Sequence, residues 1–245
     1  LTHLLMRFAT NFICISIAVD QSMRTVTKKE RHVIFNPIQK IRLEQEVVTK
    51  RRKELASRMI QSSQDACLIG FVGNMRAVKR PEVFARVIVD LNSRLGVRCG
   101  GVIIGEDREG YIEQIGRITR SIEPPAEIHF LGFQEDPEQF IAACDILMAP
   151  AVGEGFGRTL LEAMMLGVPV VASDSAGHKE IIDNERNGLL VRPDDVEQFS
   201  HAIEKLVLTP GLRAHIISEG RKTVARYSAE SHGRLVRKVY TSVVS

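Results

Sequence analysis

Two glutamates with seven residues between them, Glu154 and Glu162, stand at a glycine-rich turn that opens into a helix. Gly155 and Gly157 bracket Phe156. From Arg158 to Leu166 strong helix formers follow, with Leu160, Leu161, Met164 and Met165 at helical spacing. The first amides of such a helix lack internal partners and lie at its positive dipole end, so they form an anion site that needs no basic side chain; a phosphate fits it. Glu162 falls about 6 Å along the axis from Arg158 at ~1.5 Å per residue. A carboxylate beside a phosphate is unfavourable unless it accepts hydrogen bonds from hydroxyls, and an ionised carboxyl can take two neighbouring O–H donors. The implied ligand has a diol at each end and phosphates between, which is the shape of a nucleotide-sugar. For a lone glutamate the simpler reading is a loop charge, or the partner of a surface arginine.

The elements that must position these residues alternate between strand and helix. Apolar runs of strand length occur at residues 12–18 (FICISIA), 31–36 (RHVIFN), 67–72 (CLIGFV), 102–105 (VIIG), 127–131, 167–172 and 188–191. Helical stretches separate the later ones, at 82–95 after Pro81, at 108–120, and after the capping Asp194-Asp195. This order predicts an α/β fold with a Rossmann-like, doubly wound parallel sheet and its ligand at the carboxyl ends of the strands. Residues 37–66 read as a linker helix with Leu43, Val47, Leu55 and Met59 spaced in fours. From Arg24 to Arg58 there are eleven Lys or Arg against four Glu. A solvated charged face is the plainer reading of this excess, and peripheral contact with an anionic membrane the competing one.

Composition excludes several classes. With 245 residues, 44% hydrophobic and 26% charged, the chain matches an ordinary soluble globular protein. A net charge of +3, three Tyr and no Trp give no basis for nucleic-acid binding. Cys14, Cys67, Cys99 and Cys144 are scattered singly, as buried free thiols in a reducing, cytoplasmic compartment would be. The apolar amino end is interrupted by His3, Arg7 and Asn11 and reads neither as a signal peptide nor as a spanning helix. GEDREG after VIIG lacks the glycines of a nicotinamide-binding turn, and no metal-ligand cluster or cofactor motif is present.

The spacing Glu154-x7-Glu162 within EGFGRTLLEAM, followed by GVPVVASDSAGHKEII and NGLLV, resembles the carboxy-terminal signature of GT4-type retaining glycosyltransferases of the GT-B fold. The resemblance implies that Glu154 holds the donor sugar, Glu162 the ribose diol, and the backbone from Gly157 to Thr159 the diphosphate. Gly155, Phe156 and Arg158 complete that segment of the donor site. The loop GNMRAVKR, from Gly73 to Arg80, aligns with the family's phosphate loop, which puts Lys79 on the phosphate-binding lysine. Asn74 stands where the family has arginine, and Arg76 is the nearest replacement. By the same likeness, residues 1–36 correspond to the end of an amino-terminal acceptor domain that is mostly absent. Residues 37–66 are then the linker, 67–228 the nucleotide-sugar donor-binding domain and 229–245 a carboxy-terminal crossover helix. The implied activity is metal-independent transfer of a sugar, with retention, to a hydroxyl of a glycan, lipid-linked or small-molecule acceptor. Two rivals remain: a non-catalytic nucleotide-sugar-binding module that needs a partner domain, and a nucleotide-sugar epimerase.

Overall fold

The computed structural model describes residues 9–59, 67–94 and 99–244. Near the amino end, β1 (Asn11–Cys14), α1 (Ile17–Arg24) and β2 (Glu30–Val33) form a unit in which the two strands pair in parallel. The apolar run at 12–18 therefore is not one strand. Ser16, fully buried, leaves the strand in extended geometry and accepts a hydrogen bond from the Val19 amide, so its hydroxyl starts a helix inside the run. Residues 34–44 then run without helix, and α2 spans Gln45–Met59, shorter than the 37–66 expected. Residues 60–66 and the Met59 side chain lie outside the described residues.

The larger sheet holds six parallel strands: β3 (Cys67–Val72), β4 (Cys99–Ile104), β5 (Ile128–Gly132), β6 (Ile146–Ala149), β7 (Val170–Ser173) and β8 (Leu189–Val191). Their spatial order is β5-β4-β3-β6-β7-β8. Six helices connect or flank them: α3 (Pro81–Arg94), α4 (Tyr111–Thr119), α5 (Pro137–Ala143), α6 (Arg158–Leu166), α7 (His178–Ile181) and α8 (Val196–Leu208). Then α9 (Pro210–Val224), a 3-10 turn (Ala225–Tyr227) and α10 (Ala229–Val244) complete the chain. This is the doubly wound α/β sheet expected from the alternation.

Side chains alternate across the sheet as the pleat requires. Leu68, Val102 and Leu147 pack under Ile141, Leu160 and Met164 on one face, while Ile69, Phe71 and Ile103 meet Phe84, Ile88 and Phe199 on the other. Strand β4 begins three residues before the apolar run suggests, because Gly100 and Gly101 belong to it. A Cβ at Gly101 would lie 2.9 Å from the Phe84 ring, so glycine there lets α3 approach the sheet. The four cysteines are buried free thiols.

The basic segment is partly tied into the fold. Arg52 pairs with Asp145 at 2.7 Å, and Asp145 also accepts from the Leu68 amide at 2.8 Å, which fastens α2 beneath the start of β3. Arg51 lies over the Phe140 ring, 4.7 Å from its centroid. Among the described residues no helix is long and apolar enough to cross a membrane.

The loops after β3 and β4 touch where Gly105, at φ +145°, passes the Gly73 carbonyl. A Cβ at 105 would sit 2.2 Å from that oxygen. Gly105→Ala should therefore cost roughly 2–4 kcal/mol from strain and overpacking. Urea unfolding measures it, and a midpoint equal to wild type would contradict the contact.

Candidate functional site

In this sheet the chain runs outward from β3 through β4 to β5, then returns to place β6 on the other side of β3. The crevice at such a reversal, at the carboxyl ends of the strands, is where open α/β sheets bind ligands. The loops leaving β3 and β6 define it here: Gly73 to Arg80, and Pro150 to Gly157.

Four contacts brace the first loop. The Gly73 amide donates to the Ile104 carbonyl at 2.8 Å, and the Met75 amide to the Glu106 carbonyl at 2.8 Å. Asn74 accepts from the Glu106 amide through Oδ1 at 3.1 Å, and Glu109 accepts from the Ala77 amide at 2.8 Å. The chain then makes a 3-10 turn at Ala77–Lys79, which sends the Lys79 side chain back over Gly73.

The second loop is braced from β7. The Gly177 amide donates to the Glu154 carbonyl at 2.9 Å, and Ser175 accepts from the Gly153 amide at 2.9 Å. Gly177 permits this approach, since a Cβ there would meet the Phe156 Cα at 2.7 Å. The Phe156 ring turns away from the crevice. It stacks on Phe35 at 5.8 Å between centroids and meets Tyr227 at 5.7 Å, so its place in the donor site is through the backbone. Gly157, at φ +85°, ends the loop as the N-cap of α6 without a side-chain cap. Among the described residues the amides of Gly157, Arg158 and Thr159 donate to no protein atom.

The two loops meet at one charged contact. Lys79 Nζ lies 2.5 Å from Glu154 Oε2, with about three-quarters of each side chain buried. Thr159 and His178 line the same narrow cavity. His178 is 2% exposed, and its Nδ1 lies 3.2 Å from both the carbonyl and the hydroxyl of Ser173. That hydroxyl donates in turn to the Ala151 carbonyl. Burial holds the imidazole below its usual pKa, partly opposed by the Ser173 carbonyl and the Glu154 charge. The cation of this cavity is therefore Lys79, and His178 is a neutral wall against Gly157.

Glu162, one turn into α6, has its carboxylate 14% exposed and bonded to Arg158 Nε at 2.9 Å. Burial raises its pKa despite that partner. Arg76 is not brought to the pair: it is exposed, and its side chain has no partner among the described residues. His178, at the start of α7, forms no side-chain cap of that helix and lines the cavity. The Ser173–His178 bond and the Glu106 and Glu109 braces were missed. Among the described residues no group of three or more His, Cys, Asp or Glu is arranged to hold a metal ion.

Fold and crevice together define an α/β protein whose Lys79–Glu154 pair stands at the switch point of its parallel sheet. The family described as "Glycosyl transferases group 1" matches residues 53–223, and the chain belongs to it. Among curated relatives, the putative glycosyltransferase EpsD of Bacillus subtilis is 38% identical over 103 residues, 42% of this chain and 27% of that protein. The D-inositol 3-phosphate glycosyltransferase of Corynebacterium jeikeium is 30% identical over 182 residues, 71% of this chain and 43% of that protein. The chain thus spans less than half the length of these relatives. Of the solved structures, Anabaena Alr3699/HepE in complex with UDP and glucose superposes with a TM-score of 0.83 at 21% identity, covering 98% of this chain and 64% of that one. The same protein in complex with UDP-glucose gives 0.84 at 22%, covering 96% and 65%. Likeness at that identity speaks for the fold, which is that of GT-B glycosyltransferases.

A carboxyl whose pKa is raised by folding stabilises the fold while protonated and loses that contribution as pH rises through the folded pKa. Glu162→Gln should therefore melt higher than wild type at pH 8, with the gap closing as pH falls towards 4. The lost Arg158 pair offsets little of this, since that arginine is 70% exposed. Melting curves across this range check it, and a lower melting point at pH 8 would contradict a buried, unfavourably ionised Glu162.

Proposed function

We propose that this chain is the donor-binding part of a retaining hexosyltransferase that moves a sugar from a nucleoside-diphosphate sugar to an acceptor hydroxyl. The observation that carries this reading is the convergence of Lys79, Glu154 and the unpartnered amides of Gly157 to Thr159 at the sheet's switch point. UDP, glucose and UDP-glucose in complexes of a similarly folded protein supply the ligand class.

In the proposed complex the diphosphate lies on the α6 amides and takes Lys79 from Glu154. The freed carboxylate then accepts from sugar hydroxyls, and Glu162 accepts from the ribose diol. Arg76, held three residues before Lys79, turns in to meet the outer phosphate. As the bond from the anomeric carbon to the phosphate oxygen breaks, negative charge grows on that oxygen. Lys79, Arg76 and the helix amides stabilise it in the place a metal ion would otherwise fill. Attack from the same face retains the configuration. It also brings the acceptor hydroxyl beside the departing oxygen, the nearest base for its proton. The acceptor is a glycan, lipid-linked or small-molecule hydroxyl.

A second reading, a non-catalytic nucleotide-sugar-binding module that needs a partner domain, draws on the apolar side chains that the β1–α1–β2 unit exposes. Ile13 is 41% exposed, Ile17 47% and Val33 36%.

Calorimetry with UDP, GDP and UDP-glucose tests the donor site. One nucleotide should bind selectively, and Lys79→Ala should weaken it about ten- to a hundredfold, the loss expected for a hydrogen bond to a charged group. Glu162→Ala should weaken nucleotide binding as well. Absence of binding to a folded sample, or unchanged affinity in both variants, would overturn the assignment.

A further inference from the structure

Helix α7 is a single turn that faces two ways. His178 lines the Lys79–Glu154 cavity, and Glu180, two residues on, reaches across to α1. Glu180 Oε2 accepts from the Ile17 amide at 2.7 Å, and Oε1 from the Ala18 amide at 2.8 Å. These are the first two amides of α1. The next two are satisfied locally, Val19 by the Ser16 hydroxyl at 3.0 Å and Asp20 by the Ser16 carbonyl at 3.0 Å. Only Ile17 and Ala18 depend on a residue more than 160 positions away.

The turn of α1 held in this way covers the loop that carries Glu154. Val19 Cγ2 lies 3.5 Å from where a Gly155 Cβ would stand, so it packs on the peptide that follows Glu154. On its other side, Glu180 accepts the Tyr227 hydroxyl at its carbonyl, at 3.3 Å, and Tyr227 belongs to the aromatic trio that seats Phe156. Glu180 does not line the donor cavity. A carboxylate that accepts two amides at the positive end of a helix makes charge-assisted bonds aligned with the helix dipole. Without it two amides are orphaned in a helix of eight residues, too short to persist alone.

We infer that Glu180 is a positioning residue: its carboxylate holds the first turn of α1 against the Glu154–Gly155 turn and so sets the place of Glu154 for sugar transfer. The link to transfer rests on the donor reading of Glu154 given above; the contact itself does not.

Amide exchange by nuclear magnetic resonance on the whole chain, without ligand, tests the contact in Glu180→Ala and Glu180→Gln. Loss of a charge-assisted bond should speed exchange at Ile17 and Ala18 at least about tenfold in the alanine variant. Val19 should change by less than about threefold, because Ser16 still caps it. The glutamine variant, which keeps one acceptor oxygen, should recover part of the protection. The nuclear Overhauser contact from the Val19 methyls to Gly155 Hα should be present in wild type and lost in the alanine variant. In transfer assays with UDP-glucose the alanine variant should lose at least about tenfold in kcat while the donor KM stays within about threefold, as for a residue that orients without binding. Unchanged exchange at Ile17 and Ala18, equal acceleration at Val19 and the central strands, or a Val19–Gly155 contact that survives in Glu180→Ala would each overturn the inference. So would an unchanged kcat in an active enzyme. A wild-type chain that binds no nucleotide counts against the donor reading, and the exchange and Val19–Gly155 results still decide the role of Glu180.

Discussion

One ammonium–carboxylate contact, Lys79 to Glu154, joins loops that lie 75 residues apart in sequence. It exists because the sheet turns back on itself at β3, so that the loops leaving β3 and β6 are neighbours. Each loop is braced separately, the first from β4 and the second from β7. The two side chains therefore meet as ends of fixed arms rather than as mobile surface charges. A pair this far buried gives up much of its hydration, and its net worth to the fold is small. Its importance is geometric: it keeps a cation and a carboxylate facing each other beside the open amides of α6.

The same economy holds around the pair. Glu162 is buried where ionisation is disfavoured, and His178 is buried neutral against Gly157. Neither arrangement is one that stability alone would select, and sites that depart from local stability rules are those where function is expected. The surrounding structure compensates through the aromatic trio of Phe35, Phe156 and Tyr227 and the packed faces of the sheet. The trio also connects the β1–α1–β2 unit to the signature loop, because Phe35 follows β2 and Tyr227 follows α9.

Much of this was legible in the sequence wherever the cause was local. The Gly157 turn, the α6 start and the Asp195 cap are set by residues within a few positions of one another, and each stands where its residue types put it. The apolar run at 12–18 misled because it crosses an element boundary: the strand ends at Cys14, and the Ser16 hydroxyl caps a helix that begins at Ile17. Gly100 and Gly101 hid the start of β4, and Gly101 is there to admit the ring of Phe84, a partner more than fifteen positions away. The inward turn of Phe156 and the reach of Glu180 to α1 depend wholly on tertiary neighbours. No spacing rule encodes them.

The most direct test is a structure of the chain with a nucleoside diphosphate bound. The account predicts the phosphates on the amides of Gly157 to Thr159, and Lys79 Nζ within about 3 Å of a phosphate oxygen. Glu154 would be released from Lys79 and face the sugar position. A diphosphate bound elsewhere, with the Lys79–Glu154 pair intact, would contradict it.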